Sequence, residues 1–139
     1  RRVTLPLHKF VTAAGERRVN VMAGGKDSDS LFTLVQRLAG FSLLEALLGT
    51  GRTHQIRVQL AHLDHPVAGD DKYGDFELNR SLARRGLKRM FLHALRLGFE
   101  HPMTGARIDL TAPLPVELER FLDACRTSQV SFAEPSPHA

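Results

Sequence analysis

Between Thr50 and Asp75 the chain reads "TGRTHQIRVQLAHLDHPVAGDDKYGD", which gathers two arginines, three histidines and four aspartates into one stretch. His54, His62 and His65, with Asp64, Asp70 and Asp71 nearby, are of the residue types that hold zinc. Their spacing counts against a metal site. On a helix His62 would lie ~12 Å along the axis from His54, and no His-x-x-x-His pair brings two imidazoles to one ion. They read better as helix-end and loop histidines. A Ser-His-Asp hydrolase lacks its Gly-x-Ser-x-Gly elbow. The stretch "GGKDSDS", Gly24 to Ser30, has neither the glycine spacing nor the strand-to-helix pattern of a P-loop, so it is expected to be a polar loop. Further along, Arg80, Arg84, Arg85, Lys88, Arg89 and Arg96 occur without an intervening acid. They would form a positive surface for RNA if they shared a face, although a solvated helix-and-loop face explains the same pattern.

The elements that must position these residues follow from periodicity. Val3 to Val11 and Arg17 to Met22 read as extended segments, and Leu31 to Leu38 and Phe41 to Leu48 as an antiparallel pair split by Ala39-Gly40. Gly49-Thr50-Gly51 ends the second run, and Thr53 is placed to cap a helix from His54 to about Leu63. The alternation of Ile56, Val58 and Leu60 suits a strand equally well. Pro66 forces an extended or turn geometry on what precedes it, and "AGDDKYGD" should be a surface loop. Phe76 to Arg85 reads as a short helix, and Phe91 to Glu100 with Arg107 to Thr111 as a hairpin turning through "HPMTG". Pro113 and Pro115 precede an amphipathic helix beginning "VELERFLDAC", and the residues from 127 to 139 read as a disordered tail.

Composition sets outer bounds. A chain of 139 residues, 42% hydrophobic, is long enough for one cored domain. Its formal charge of +4 and pI near 9.8 are compatible with a polyanionic partner. A single cysteine, Cys125, makes no internal disulfide and fits a reducing, cytoplasmic setting. No apolar run approaches the ~20 residues of a membrane span. The chain starts Arg1-Arg2 without methionine, as a fragment or processed product would.

The segment "GRTHQIRVQLAHLDHPVAGDDKYGD" followed by "RMFLHALRLGFEHPMTG" closely resembles the pseudouridine synthases of the RluA family, from about Ser30 to the C-terminal helix. "GRTHQIRV" is similar to the family's arginine motif, "HPVAGDDKYG" to its companion loop, and "FLHA" to the segment after it. The resemblance implies isomerisation of chosen uridines by breaking the bond from ribose to uracil N1, turning the base and rejoining it through C5. It implies no cofactor and no metal. It also implies an essential aspartate, an arginine paired with it, and a tyrosine stacked on uracil. By motif position Arg57 is that arginine, and a guanidinium can hold a carboxylate bidentately and keep it ionised in a partly dry pocket.

The family's aspartate lies in a His-Arg-Leu-Asp-x-x-Thr-Ser-Gly motif that this sequence does not contain. "HLD" at His62 to Asp64 lacks the arginine and the Thr-Ser-Gly, and the stacking tyrosine also belongs to the upstream half, since Tyr73 matches the "DDKYG" loop. The chain is thus expected to be the C-terminal part of a catalytic domain, residues 1 to 126, completed by an upstream half. Arg52 and His54, with Arg84, Arg85 and Lys88, are the candidates for contacting substrate phosphate. Arg52 and His54 would alternatively pin the loop, while Thr53 and Gln55 fix the helix start. Asp70 and Asp71 should pair with neighbouring Arg or Lys rather than meet phosphate.

The expected fold is α+β, a mixed but mainly antiparallel sheet flanked by short helices. The leading function is isomerisation of uridines in large-subunit ribosomal RNA. The alternatives are a non-catalytic RNA-binding fragment and, third, a metal-dependent hydrolase.

Overall fold

In the computed structural model, which describes residues 1–127, the first half of the chain is an antiparallel sheet of four strands. They are β1 (Arg2–Val11), β2 (Arg17–Val21), β3 (Lys26–Leu38) and β4 (Phe41–Leu48), in the order β2-β1-β3-β4. Helix α1 (Gln55–His62) lies on one face, followed by α2 (Phe76–Arg84), the hairpin β5 (Arg96–Glu100) and β6 (Arg107–Thr111), and α3 (Val116–Thr127). This is an α+β fold. No helix among the described residues is long and apolar enough to cross a membrane.

Alternation explains which sheet face is covered. Val3, Leu7 and Val19 point to the α1 side and are buried, with Val58 and Leu60 meeting them from the helix. Pro6 has no amide hydrogen to give on the β2 side, where its carbonyl accepts from the Met22 amide at 3.1 Å, and the Met22 carbonyl accepts from the Gly25 amide at 2.9 Å instead. A second apolar cluster, Leu82, Leu87, Leu118, Phe121 and Cys125, joins α2 to α3, and burial pushes the Cys125 thiol up to about 11. Pro115 stands immediately before α3, where its carbonyl accepts from the Leu118 and Glu119 amides.

Three expectations need correction. "GGKDSDS" is not a loop throughout, because β3 begins at Lys26 and pairs with β1 through Leu31. Its polar residues tolerate the sheet because Ser28 and Ser30 are buried and hydrogen-bonded: Ser28 Oγ donates to the Leu5 carbonyl at 2.6 Å, and Gln55 and Gln59 of α1 reach both hydroxyls. The strand expected from Phe91 begins only at Arg96; Phe91 instead bonds the Ala68 carbonyl and joins the α2–α3 cluster. The helix after β4 runs from Gln55, and Thr53 does not cap it. The expected tail from residue 128 onward lies outside the described residues, and Thr127 closes α3.

Candidate active site

The turn from β4 into α1 is built around the buried side chain of Gln55. Its Oε1 accepts from Thr50 Oγ1 at 2.7 Å and from the Arg52 amide at 2.9 Å, and its Nε2 donates to the Asp29 carbonyl and to Ser30 Oγ. All four bonding positions of the amide are used, so the loop is fastened to β3 with no buried polar group of Gln55 left over. Gln55 therefore fixes the helix start, as expected. His54 precedes it in the left-handed region, φ 53°, a conformation costly for a residue with a Cβ.

What holds His54 there is Tyr73. The tyrosine hydroxyl accepts from the Val19 amide at 2.9 Å and lies 2.8 Å from His54 Nδ1. The hydroxyl can donate to Nδ1 or accept from it, according to which ring nitrogen of His54 carries the proton. Burial, then the positive charges of Arg57 and Lys72, hold the His54 pKa below its ordinary value. These surroundings favour the neutral ring. The guanidinium groups of Arg18 and Arg57 lie 5.0 and 5.1 Å from the Tyr73 ring centroid, so the ring ties β2 to α1.

Arg57 forms a fork with Asp70: Nε donates to Oδ2 at 2.9 Å and Nη2 to Oδ1 at 2.8 Å. Oδ1 also accepts from the Lys72 and Tyr73 amides, which closes the Asp70–Tyr73 turn. A Cβ on Gly74 would collide with the Asp70 carbonyl, so this position must be glycine. The Asp70 side chain is 1% exposed and that of Arg57 15%. Burial works against the Asp70 charge, but the bonds from Arg57, Lys72 and Tyr73 outweigh it and hold the carboxyl below the usual range; Asp70 in turn raises the Arg57 pKa.

Chemically, Asp70 is a saturated acceptor and a poor base or nucleophile. Arg57 is different, since its Nη1 edge takes no part in the fork and can receive a second anion. Asp71 is exposed, with its carboxylate 4.0 Å from Arg57. The remaining candidates stand apart. Arg52 is exposed and donates from Nε to the Asp27 carbonyl at 2.9 Å. Arg84 ends α2, Arg85 caps it, and both are exposed, as is Lys88. Arg89 and Arg96 do not join them on one free surface: Arg89 is half-buried and bonds the Met90 and Leu92 carbonyls, and Arg96 is paired with Glu45. Arg18 and the Tyr73–His54 contact were not anticipated, because their partners lie 54 and 19 positions away. Among the described residues no group of three or more His, Cys, Asp or Glu is arranged to hold a metal ion.

Comparison with known proteins comes to bear on this geometry. The chain is 43% identical over 129 residues to ribosomal large subunit pseudouridine synthase C of Pasteurella multocida, covering 93% of this chain and 40% of that protein. It is 44% identical over 124 residues to the Yersinia pestis protein of that name, covering 89% of this chain and 39% of the relative. The Escherichia coli K12 protein of that name is 43% identical over 129 residues, covering 91% and 40%. The chain thus spans about two-fifths of the length of the curated relatives it matches. Among solved structures, human RNA pseudouridylate synthase domain containing 1 superposes with a TM-score of 0.60 at 25% identity, covering 91% of this chain and 60% of that one. No family model matches.

Proposed function

We infer that this chain, homologous over nine-tenths of its length to the ribosomal large-subunit pseudouridine synthases, forms one wall of a site that isomerises uridines in large-subunit ribosomal RNA. The observation that carries the reading is 43% identity over 129 residues. Two features of the fold support it. Arg57 is held rigidly with one guanidinium edge still open, as an arginine that must receive a carboxylate from elsewhere requires. Exposed Leu34, Leu44 and Leu48 share one face of β3 and β4, and β4 is a sheet edge, so a further part of the catalytic domain has apolar side chains and a strand edge to join.

In this reading Arg57 pairs with the catalytic aspartate of the upstream half, residues 1–126 belong to the catalytic domain, and Arg52, His54, Arg84, Arg85 and Lys88 face substrate phosphate. A reducing, cytoplasmic setting belongs to the same reading. The 139-residue chain alone is expected to form no pseudouridine in ribosomal RNA, while the complete enzyme forms it at defined positions. Carbodiimide-adduct primer extension on large-subunit RNA reads both, and turnover by the isolated chain would overturn the division of labour.

The basic residues around the end of α2 give a separate prediction. Arg84→Ala, Arg85→Ala and Lys88→Ala, combined in the complete enzyme, should raise KM more than they lower kcat. Each lost phosphate contact should also flatten the dependence of log affinity on log salt by roughly 0.7 to 0.9. An unchanged salt slope would mean that these three residues are solvated surface.

A further inference from the structure

We propose that a cleft beside the Arg52 loop, formed where β1 meets the β2–β3 turn, binds the phosphodiester backbone of the RNA strand flanking the target uridine. The cleft has a volume of about 540 Å³ and is lined by Lys9, Lys26, Arg52 and the backbone of Gly24, Gly25 and Gly51, with no acidic residue in its wall. The proposal rests on the RNA-directed reading above and adds two residues, Lys9 and Lys26, and a binding surface to it.

Strand register brings these charges together. Lys9 pairs with Val19, and Lys26 pairs with Leu7, so both lysines leave the sheet on the side that buries Leu7 and Val19, which is the side of α1. Beyond the start of that helix the side is no longer covered, and there Arg52 enters from the loop. Three cations from three separate segments thus border one opening. Among the described residues neither lysine ammonium has an ion-pair or hydrogen-bond partner, whereas Lys72, Arg18, Arg57, Arg96, Arg107 and Arg126 are all matched to acids. Like charges held together without a counter-charge repel, and a bound polyanion would relieve that repulsion.

The glycines shape the opening. A Cβ at Gly25 would lie 2.7 Å from the Leu7 carbonyl carbon, so the β2–β3 turn can approach β1 this closely only without a side chain. At Gly51 the space a Cβ would occupy is open, which leaves backbone accessible next to Arg52. Arg52 is already oriented by its bond to the Asp27 carbonyl, which uses only Nε and leaves both terminal nitrogens for a phosphate. Thr53 lines the cleft and is followed directly by His54 and the Arg57 helix, so a strand lying in the cleft runs toward the candidate active site.

The test is fluorescence anisotropy of a labelled single-stranded oligoribonucleotide with the complete enzyme over a salt series. Lys9→Ala with Lys26→Ala should weaken binding roughly tenfold near 0.1 M salt and flatten the log-salt slope by about 1.4, two single-strand contacts' worth. Lys9→Arg with Lys26→Arg should keep both slope and affinity within about twofold, since the charges persist. Both positions are exposed, so matching thermal melts for the two variants are expected. Parent binding with an unchanged slope in the alanine pair would overturn the cleft assignment alone. Absence of measurable binding by the parent would overturn it together with the RNA-directed reading.

Discussion

Asp70→Ala is expected to destabilise the chain by about 3 kcal/mol, the low end of the cost of breaking a buried ion pair, because Arg57 keeps a little solvent contact. The substitution removes both acceptors of the Arg57 fork and strips the Lys72 and Tyr73 amides of their shared partner. For a domain of this length the corresponding fall in Tm is roughly 10 °C. Asp70→Asn keeps the shape and one carbonyl acceptor but not the charge, so it should fall between parent and alanine. The difference should also depend on pH. Because the folded-state pKa of Asp70 lies below its unfolded value, the carboxylate's contribution is fully present above about pH 4 and is lost as pH falls through the folded pKa. The gap between parent and Asp70→Asn should therefore be constant near neutrality and narrow in acid. Thermal melts from pH 7 to pH 2 measure this, and a gap that stays level into acid would remove Asp70 from its place as the charged anchor of the loop.

How much of this anchor was legible in the sequence depends on the distance over which each bond acts. The β3–β4 pair, α2, α3 and the His101–Gly105 turn of the last hairpin could be read because alternation, helical periodicity, prolines and glycines act within a few residues. The first half of β3 could not. Ser28 and Ser30 look like loop residues until Gln55 and Gln59, more than twenty positions later, supply their partners. Phe91 to Leu95 failed in the opposite sense: the run is apolar enough for a strand, yet Phe91 is taken up by the α2–α3 cluster before any strand can pair with it. In the site, an Arg or Lys partner for Asp70 was expected from charge alone, but its identity as Arg57 is set by the helix–loop geometry.

Thr53 shows why a capping residue by itself decides little. It stands one residue too early, and the ordering of the turn has passed to Gln55, which reaches across to β3. His54 is left in a positive-φ conformation stabilised by Tyr73, and Tyr73 is placed by the Asp70 turn. The arginine motif and the companion loop are therefore mechanically one unit: Asp70 grips Arg57, and Tyr73 grips His54 three residues earlier in the same motif.

That unit sets the second large expectation, the loss of activity in Arg57→Lys. In the fork, Nε and Nη2 are committed to Asp70, and only the Nη1 edge is open to the carboxylate that the proposed mechanism brings from the upstream half. A guanidinium can serve two carboxylates at once because its five N–H donors lie in one plane and point to different edges. An ammonium is a point charge on a flexible stem. Drawn to the buried Asp70, the substituted side chain would no longer present a directed donor pair to the second carboxylate, which would then lose both its orientation and part of the stabilisation of its ionised form. The expected result in the complete enzyme is a fall in kcat of at least about a hundredfold, the scale on which removal of one preorganised donor acts, with KM and RNA affinity within about threefold of the parent. Arg57→Ala should lose at least as much activity and, by leaving Asp70 without its cation, should also lower Tm, which the lysine variant does much less. Single-turnover assays beside equilibrium RNA binding separate these effects. Parent-like kcat in Arg57→Lys would show that the open edge of the guanidinium has no part in the reaction.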